Sequence, residues 1–201
     1  MYPKLTETIS AFSEANIYPE RKEVLTQLVI YIRDKQSKGE TIRLNFICTH
    51  NSRRSHLSQI WAQTLAYYFG FKNVFCYSGG TEATAMFPKI AETLANQGFD
   101  IHKLSDTTNP VYSVKYAPNE QPIICFSKVY GHAFNPVGNY GAIVTCNSAD
   151  EACPIIFGAE ARFPVKYDDP KAFDYTEFMD AKYAERSLQI GEELWFVFGQ
   201  V

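Results

Sequence analysis

The sequence predicts an α/β fold: an open, mostly parallel sheet with helices on both faces. Three observations point there. Short β-branched and aromatic runs, Ile42 to Ile47 and Val74 to Tyr77, alternate with longer stretches of helical periodicity. A strand–loop–helix junction carries a Cys-x5-Arg spacing from Cys48 to Arg54. The 201 residues are 46% hydrophobic, enough for one ordinary domain with a sizeable core.

Residues 1–40 read as a helical extension ahead of the domain at 41–201, the whole forming one domain. From Tyr18 to Gln36, Val24, Leu25, Leu28, Val29 and Ile32 recur at helical spacing. Pro19 suits a first helical turn, and Gly39 supplies a stop. The next helix runs from about Arg54 to Phe69, with Leu57, Ile60, Trp61, Thr64, Leu65 and Tyr68 on its inner face. Pro88 to Asn96 reads as a helix stopped by Gly98, and Gln121 to Ser127 and Ala142 to Thr145 as strands. Phe173 to Ile190 reads as the last helix, followed by an apolar tail, Leu194 to Phe198. Val111 to Tyr116 and Gln121 to Phe126 flank a turn, so an antiparallel hairpin is expected as an insertion.

The net charge of -3 and the unclustered Lys and Arg argue against a nucleic-acid surface. No apolar run is long enough for a membrane span. The first ten residues lack the pattern of a secretory signal, so a cytoplasmic protein with reduced thiols is expected. Five cysteines are an odd set, which suits chemistry or burial better than a disulfide framework.

The loop reads Cys48-Thr49-His50-Asn51-Ser52-Arg53-Arg54-Ser55. Its spacing alone is weak; its placement at the carboxyl end of a strand, where α/β sheets bind ligands, is what gives it weight. Backbone N–H groups of residues 49–55 and the helix N-terminus form a nest for an anion. Arg54 can bind two oxygens at once. The same positive field favours a thiolate at Cys48, poised to attack a tetrahedral oxyanion, and Ser55 can donate to it. A buried structural cysteine at a strand end is the competing reading.

On these residues the chain resembles the low-molecular-weight protein tyrosine phosphatases and the thioredoxin-coupled arsenate reductases of the same fold. Cys48-Thr49-x-Asn51-Ser52-x-Arg54-Ser55 is similar to their phosphate loop, and Tyr77-Ser78-Gly79-Gly80-Thr81-Glu82 to their second-strand segment. The resemblance implies Cys48 as nucleophile, Arg54 as oxyanion binder, Asn51 as a loop-shaping residue and Ser55 as the thiolate's partner. It also implies Asp169, within Tyr167-Asp168-Asp169-Pro170, as general acid, with Asp168 as a stand-in. By itself that segment is an ordinary turn.

Cys146 and Cys153, separated by six residues in Val-Thr-Cys-x6-Cys-Pro, resemble the redox pair of the arsenate reductases. A polar segment between them offers a loop that opens for thiol exchange. A zinc pair would ordinarily use shorter spacing and nearby further ligands, so no metal or cofactor is expected. His50 stands where that family usually has glycine, and Gln59 where some arsenate reductases place an acidic potassium ligand. Cys76 and Cys125 read as core, and His56 and His102 carry no usable pattern.

Three readings follow. The first is thiol-dependent arsenate reduction by Cys48, with Cys146 and Cys153 relaying a disulfide to thioredoxin or a similar thiol. The second is hydrolysis of phosphate monoesters through a phosphocysteine at Cys48, with Asp169 as acid. The third is a non-catalytic anion- or redox-sensing module. A small oxyanion is the common ligand.

Overall fold

The structure is a computed structural model describing residues 1–152 and 155–201. Four parallel strands, β1 (Ile42–Cys48), β2 (Val74–Gly80), β6 (Tyr140–Val144) and β7 (Ala159–Phe163), form the main sheet in the order β2-β1-β6-β7. A second, antiparallel sheet holds β3 (Asp100–Lys103), β4 (Tyr112–Lys115) and β5 (Ile123–Cys125) in sequence order. The expected hairpin is therefore present, but it joins β3, which periodicity did not reveal, and lies outside the parallel sheet.

The helices are α1 (Pro3–Ser10), α2 (Pro19–Ser37), α3 (Arg54–Tyr68), α4 (Pro88–Asn96), α5 (Asn147–Ala152) and α6 (Met179–Gly199). Proline at the first position starts α1, α2 and α4, where its missing N–H costs nothing. Gly39 and Gly98 follow α2 and α4 with φ of 67° and 104°, values open to glycine at no Cβ penalty.

Alternate side chains of β1 part between two cores. Leu44 and Phe46 enter the large one, with Leu57, Trp61 and Leu65 of α3, Leu25, Leu28 and Ile32 of α2, and Ile190, Leu194 and Val197 of α6. Ile47 enters a smaller one with Ala142 and Val144 of β6, Cys146, Ala149 of α5 and Ile156. The two helical layers are thus unequal: long helices cover one face, while α5 and irregular chain close the other. The N-terminal extension belongs to the large core, since Leu5, Ile9, Leu25, Leu28 and Ile32 are all buried in it.

Two expectations are corrected at the C-terminus. Asp174 to Phe178 is not helical, and Phe173 ends a single 3-10 turn (Pro170–Phe173) that Asp169 caps by accepting from Lys171 N–H. Leu194 to Phe198 is no tail but the last turns of α6, whose apolar residues pack on α3. Tyr68, expected on the inner face of α3, is instead exposed, stacking edge-on with Phe69. Among the described residues no helix is long and apolar enough to cross a membrane.

Candidate active site

From β1 the chain passes through α3 to β2 on one side, while β6 lies on the other. That reversal opens a crevice at the carboxyl ends of β1 and β6, where open α/β sheets bind ligands. Cys48 ends β1, and Cys146 follows the end of β6. Thr145 clamps the two strand ends, its N–H and Oγ1 both donating to Ile47 O at 2.8 and 3.0 Å.

The loop after Cys48 is held by its carbonyls. Thr81 N–H donates to Cys48 O at 3.1 Å, and Glu82 N–H to Thr49 O at 2.8 Å. Ser127 Oγ and Thr84 Oγ1 donate to His50 O at 2.9 and 3.2 Å. Phe87 N–H donates to Ser52 O at 3.0 Å. Among the described residues, no acceptor meets the N–H groups of Thr49 to Arg53. With the carbonyls of Cys48, Thr49, His50 and Ser52 engaged and these N–H groups left over, the loop has the arrangement of an anion nest. The first turn of α3 adds to it, since no side chain caps that helix.

Two residues give the loop its shape. Asn51 adopts φ 44°, a left-handed conformation that asparagine tolerates. Its amide donates to Ser55 Oγ at 2.8 Å and its Oδ1 accepts from Lys128 N–H at 2.9 Å. Gly80 lies beneath it: a Cβ there would fall 2.6 Å from Thr49 O and 2.7 Å from Asn51 N. Glycine at 80 thus has a steric cause, the close passage of the loop over β2, and glycine at 79 has another, the Tyr130 backbone, whose Cα would lie 2.4 Å from a Cβ there.

Cys48 is almost fully buried, with Ser55 Oγ 3.1 Å from its sulfur. Arg54 donates through Nη1 to Tyr167 O at 2.9 Å and through Nη2 to Asp169 Oδ2 at 2.5 Å. Its Nε is buried and has no partner among the described residues. Asp169 therefore does two things: it caps its own turn, as in an ordinary Asp-Pro turn, and it meets the loop arginine. Asp168 is exposed to solvent and lies 3.5 Å from Arg186.

Arg53 leaves the nest. Its guanidinium stacks over Phe87 at 4.1 Å and donates to Tyr183 OH at 2.6 Å and Asp174 at 2.5 Å. The His50 side chain is half-exposed and lies 3.7 Å from Glu82. Cys146 sulfur is buried, 3.4 Å from Thr49 Oγ1, and accepts from Ala149 N–H at 3.4 Å. The segment after it is not an open loop but helix α5, reaching Ala152. Cys153 lies outside the described residues.

The remaining cysteines are core. Burial pushes the Cys76 thiol well up, and the Cys125 thiol up to about 12, with Lys128 opposing. Gln59 donates from Nε2 to Cys76 O at 3.1 Å. Two residues without a sequence signal support the site from below. His56 is buried with Nδ1 3.3 Å from Ser78 Oγ, and burial, then Lys128, lowers its pKa to about 3. Lys128 is itself buried between Phe126 and Phe134, and burial lowers its pKa to about 8. Polarity gave no hint of either, because both side chains occupy core positions.

A cysteine-headed anion nest at the switch point of a β2-β1-β6-β7 parallel sheet defines the low-molecular-weight phosphatase fold class. Comparison with known proteins agrees. The arsenate reductase 2 of Staphylococcus epidermidis is 28% identical over 133 residues, spanning 66% of this chain and 82% of that protein. Among solved structures, a YwlE mutant from Bacillus subtilis superposes with a TM-score of 0.53 at 14% identity, covering 79% of this chain and 97% of that one. A low-molecular-weight phosphotyrosine phosphatase from Vibrio cholerae gives 0.51 at 14% identity, covering 78% and 93%. No protein-family model matches. The chain is thus similar in sequence to an arsenate reductase and shares the fold of the low-molecular-weight protein tyrosine phosphatases.

Proposed function

We propose that the protein is a thiol-dependent arsenate reductase. The observation that carries this reading is the adjacency of Cys146 to the nucleophile loop, 3.4 Å from Thr49 Oγ1. The similarity to a staphylococcal arsenate reductase supports it.

In this reading the nest and Arg54 Nε receive arsenate. Cys48 thiolate attacks arsenic, and an oxygen leaves as water, its proton delivered from Asp169. Cys146 thiolate then attacks Cys48 sulfur. The S–As bond breaks with its electron pair remaining on arsenic, so arsenite departs and a Cys48–Cys146 disulfide forms. Cys153 attacks Cys146 in turn and frees Cys48. The two electrons come from two thiols, and a thioredoxin-like dithiol restores them.

The test is to incubate reduced protein with arsenate and map its disulfides. A Cys146–Cys153 bond is expected, and Cys146→Ser should abolish turnover. Full arsenate turnover in that variant sinks the relay. Phosphate-monoester hydrolysis is the second reading, favoured by the convergence of Cys48, Arg54 and Asp169, which need no second thiol. Strong phosphotyrosine turnover without any arsenate-dependent disulfide would select it.

A further inference from the structure

The second sheet reaches the nest through the chain that leaves it. After β5, residues 126–130 run beside the carboxyl end of β2. Gly80 N–H donates to Lys128 O at 2.8 Å and Tyr130 N–H to Gly80 O at 2.9 Å, a parallel pairing. That course brings two neighbouring residues against the middle of the loop. Ser127 Oγ donates to His50 O at 2.9 Å, and Lys128 N–H to Asn51 Oδ1 at 2.9 Å.

Ser127 is itself held on both sides. It is buried, and its one hydroxyl proton is committed to His50 O while the oxygen accepts from Thr84 N–H at 2.8 Å. Its backbone is gripped by Asn109, from the connection between β3 and β4. Asn109 Oδ1 accepts from Ser127 N–H at 3.0 Å, and Asn109 Nδ2 donates to Ser127 O at 2.7 Å. One side-chain amide thus does for Ser127 what a paired strand would do.

The grip matters because a trans peptide carries its C=O and the following N–H on opposite sides of its plane. Holding His50 O away from the nest turns Asn51 N–H towards it. The carbonyls of Cys48, Thr49 and Ser52 are held by backbone N–H groups of Thr81, Glu82 and Phe87. His50 O instead meets two hydroxyls, Ser127 at 2.9 Å and the exposed Thr84 at 3.2 Å. Ser127 is the buried one of the two and the one clamped in place.

We propose that Ser127 is a positioning residue for oxyanion binding: braced by Asn109, it fixes the His50–Asn51 peptide plane and aims Asn51 N–H at the bound anion. This rests on the reading of residues 49–55 as an anion nest, which the reductase and phosphatase readings share. It gives β3, β4 and β5 a task in the site, since the two residues that brace the loop, Asn109 and Ser127, lie on their connections. An N–H aimed at a charged oxygen contributes more than one aimed at a neutral acceptor, so a plane free to tilt should be felt in affinity.

Inorganic sulfate is the probe, titrated at constant ionic strength against chloride and followed by the backbone amide proton shifts of residues 49–55. In the wild-type protein the Asn51 amide should move downfield as sulfate binds. In Ser127→Ala the dissociation constant should rise by about threefold to tenfold, and the Asn51 shift should shrink while that of Thr49 persists. Ser127→Thr keeps the hydroxyl and should restore both. Ile123→Val is the control: it trims a buried residue of β5, removes no bond to the loop, and should leave sulfate affinity unchanged. Asn109→Ala should weaken sulfate binding by a smaller factor than Ser127→Ala, and it takes over as the test where Ser127→Ala does not fold. Unchanged affinity in the folded variant overturns the proposal. So does an equal loss in Ile123→Val, which a purely structural role would produce. Sulfate bound by the wild type with an unmoved Asn51 amide overturns the brace and leaves the nest standing; no sulfate bound at all overturns both. None of these outcomes depends on turnover, so each is separable from the choice between reductase and phosphatase.

Discussion

At the scale of single residues, Cys48 and His56 make opposite use of burial. Cys48 is buried beneath a nest of N–H groups, and Cys48→Ser should cut turnover by roughly 10³-fold or more while leaving oxyanion binding intact, as measured by activity alongside sulfate titration. His56 is buried with no counter-charge and stays neutral. Its folded pKa lies below the unfolded value, so at low pH the unfolded chain takes up a proton that the folded protein refuses. Stability should be unaffected by His56 above about pH 6.5 and should fall by about 1.4 kcal/mol per pH unit as pH drops towards 3. Denaturant unfolding between pH 4 and 7 checks this, and His56→Gln should flatten the slope.

At the scale of elements, the loop depends on its neighbours more than on its own sequence. Gly80→Ala drives a Cβ to 2.2 Å from Glu82 O and into the loop backbone, so it should cost about 1–3 kcal/mol or more and lower activity. Thermal unfolding and a rate measurement together test that. The strand–loop–helix unit was legible in the sequence because its signals are local: a β-branched strand, an asparagine able to turn left-handed, an amphipathic helix. The second sheet was half legible, since β4 and β5 flank a turn whereas β3 has four residues and no alternation of burial. Helix α5 was missed because six residues leave too little periodicity to read. Its presence changes what the relay demands. Cys146 sulfur accepts from Ala149 N–H within that helix, so a sulfur that moves to Cys48 and then to Cys153 must give up that contact. Amide exchange along α5 should therefore quicken on formation of the first disulfide, and unchanged protection would argue against the relay.

At the scale of the whole molecule, the N-terminal extension is structural. Ile32 is fully buried with Leu25 and Leu28 against the main core, and Ile32→Ala should cost about 2–5 kcal/mol in denaturant unfolding. The extension also reaches the site: Arg21 stacks on the Tyr167 ring at 4.7 Å and binds Glu193, while Tyr167 carbonyl holds Arg54. Sequence periodicity showed that α2 would pack; it had no means of showing where Arg21 would land, since that contact joins residues distant in the chain.

The pairing of Arg54 with Asp169 has one more consequence. An arriving oxyanion competes with a carboxylate already seated on Arg54 Nη2, so part of its binding free energy goes into displacing an internal rival. Affinity and turnover should then move in opposite directions when that rival is weakened. Asp169→Asn is expected to bind sulfate a few-fold more tightly and to react about 10²-fold more slowly or worse. The chain carries, next to its nucleophile, a built-in competitor that raises the threshold an anion must pass to be held.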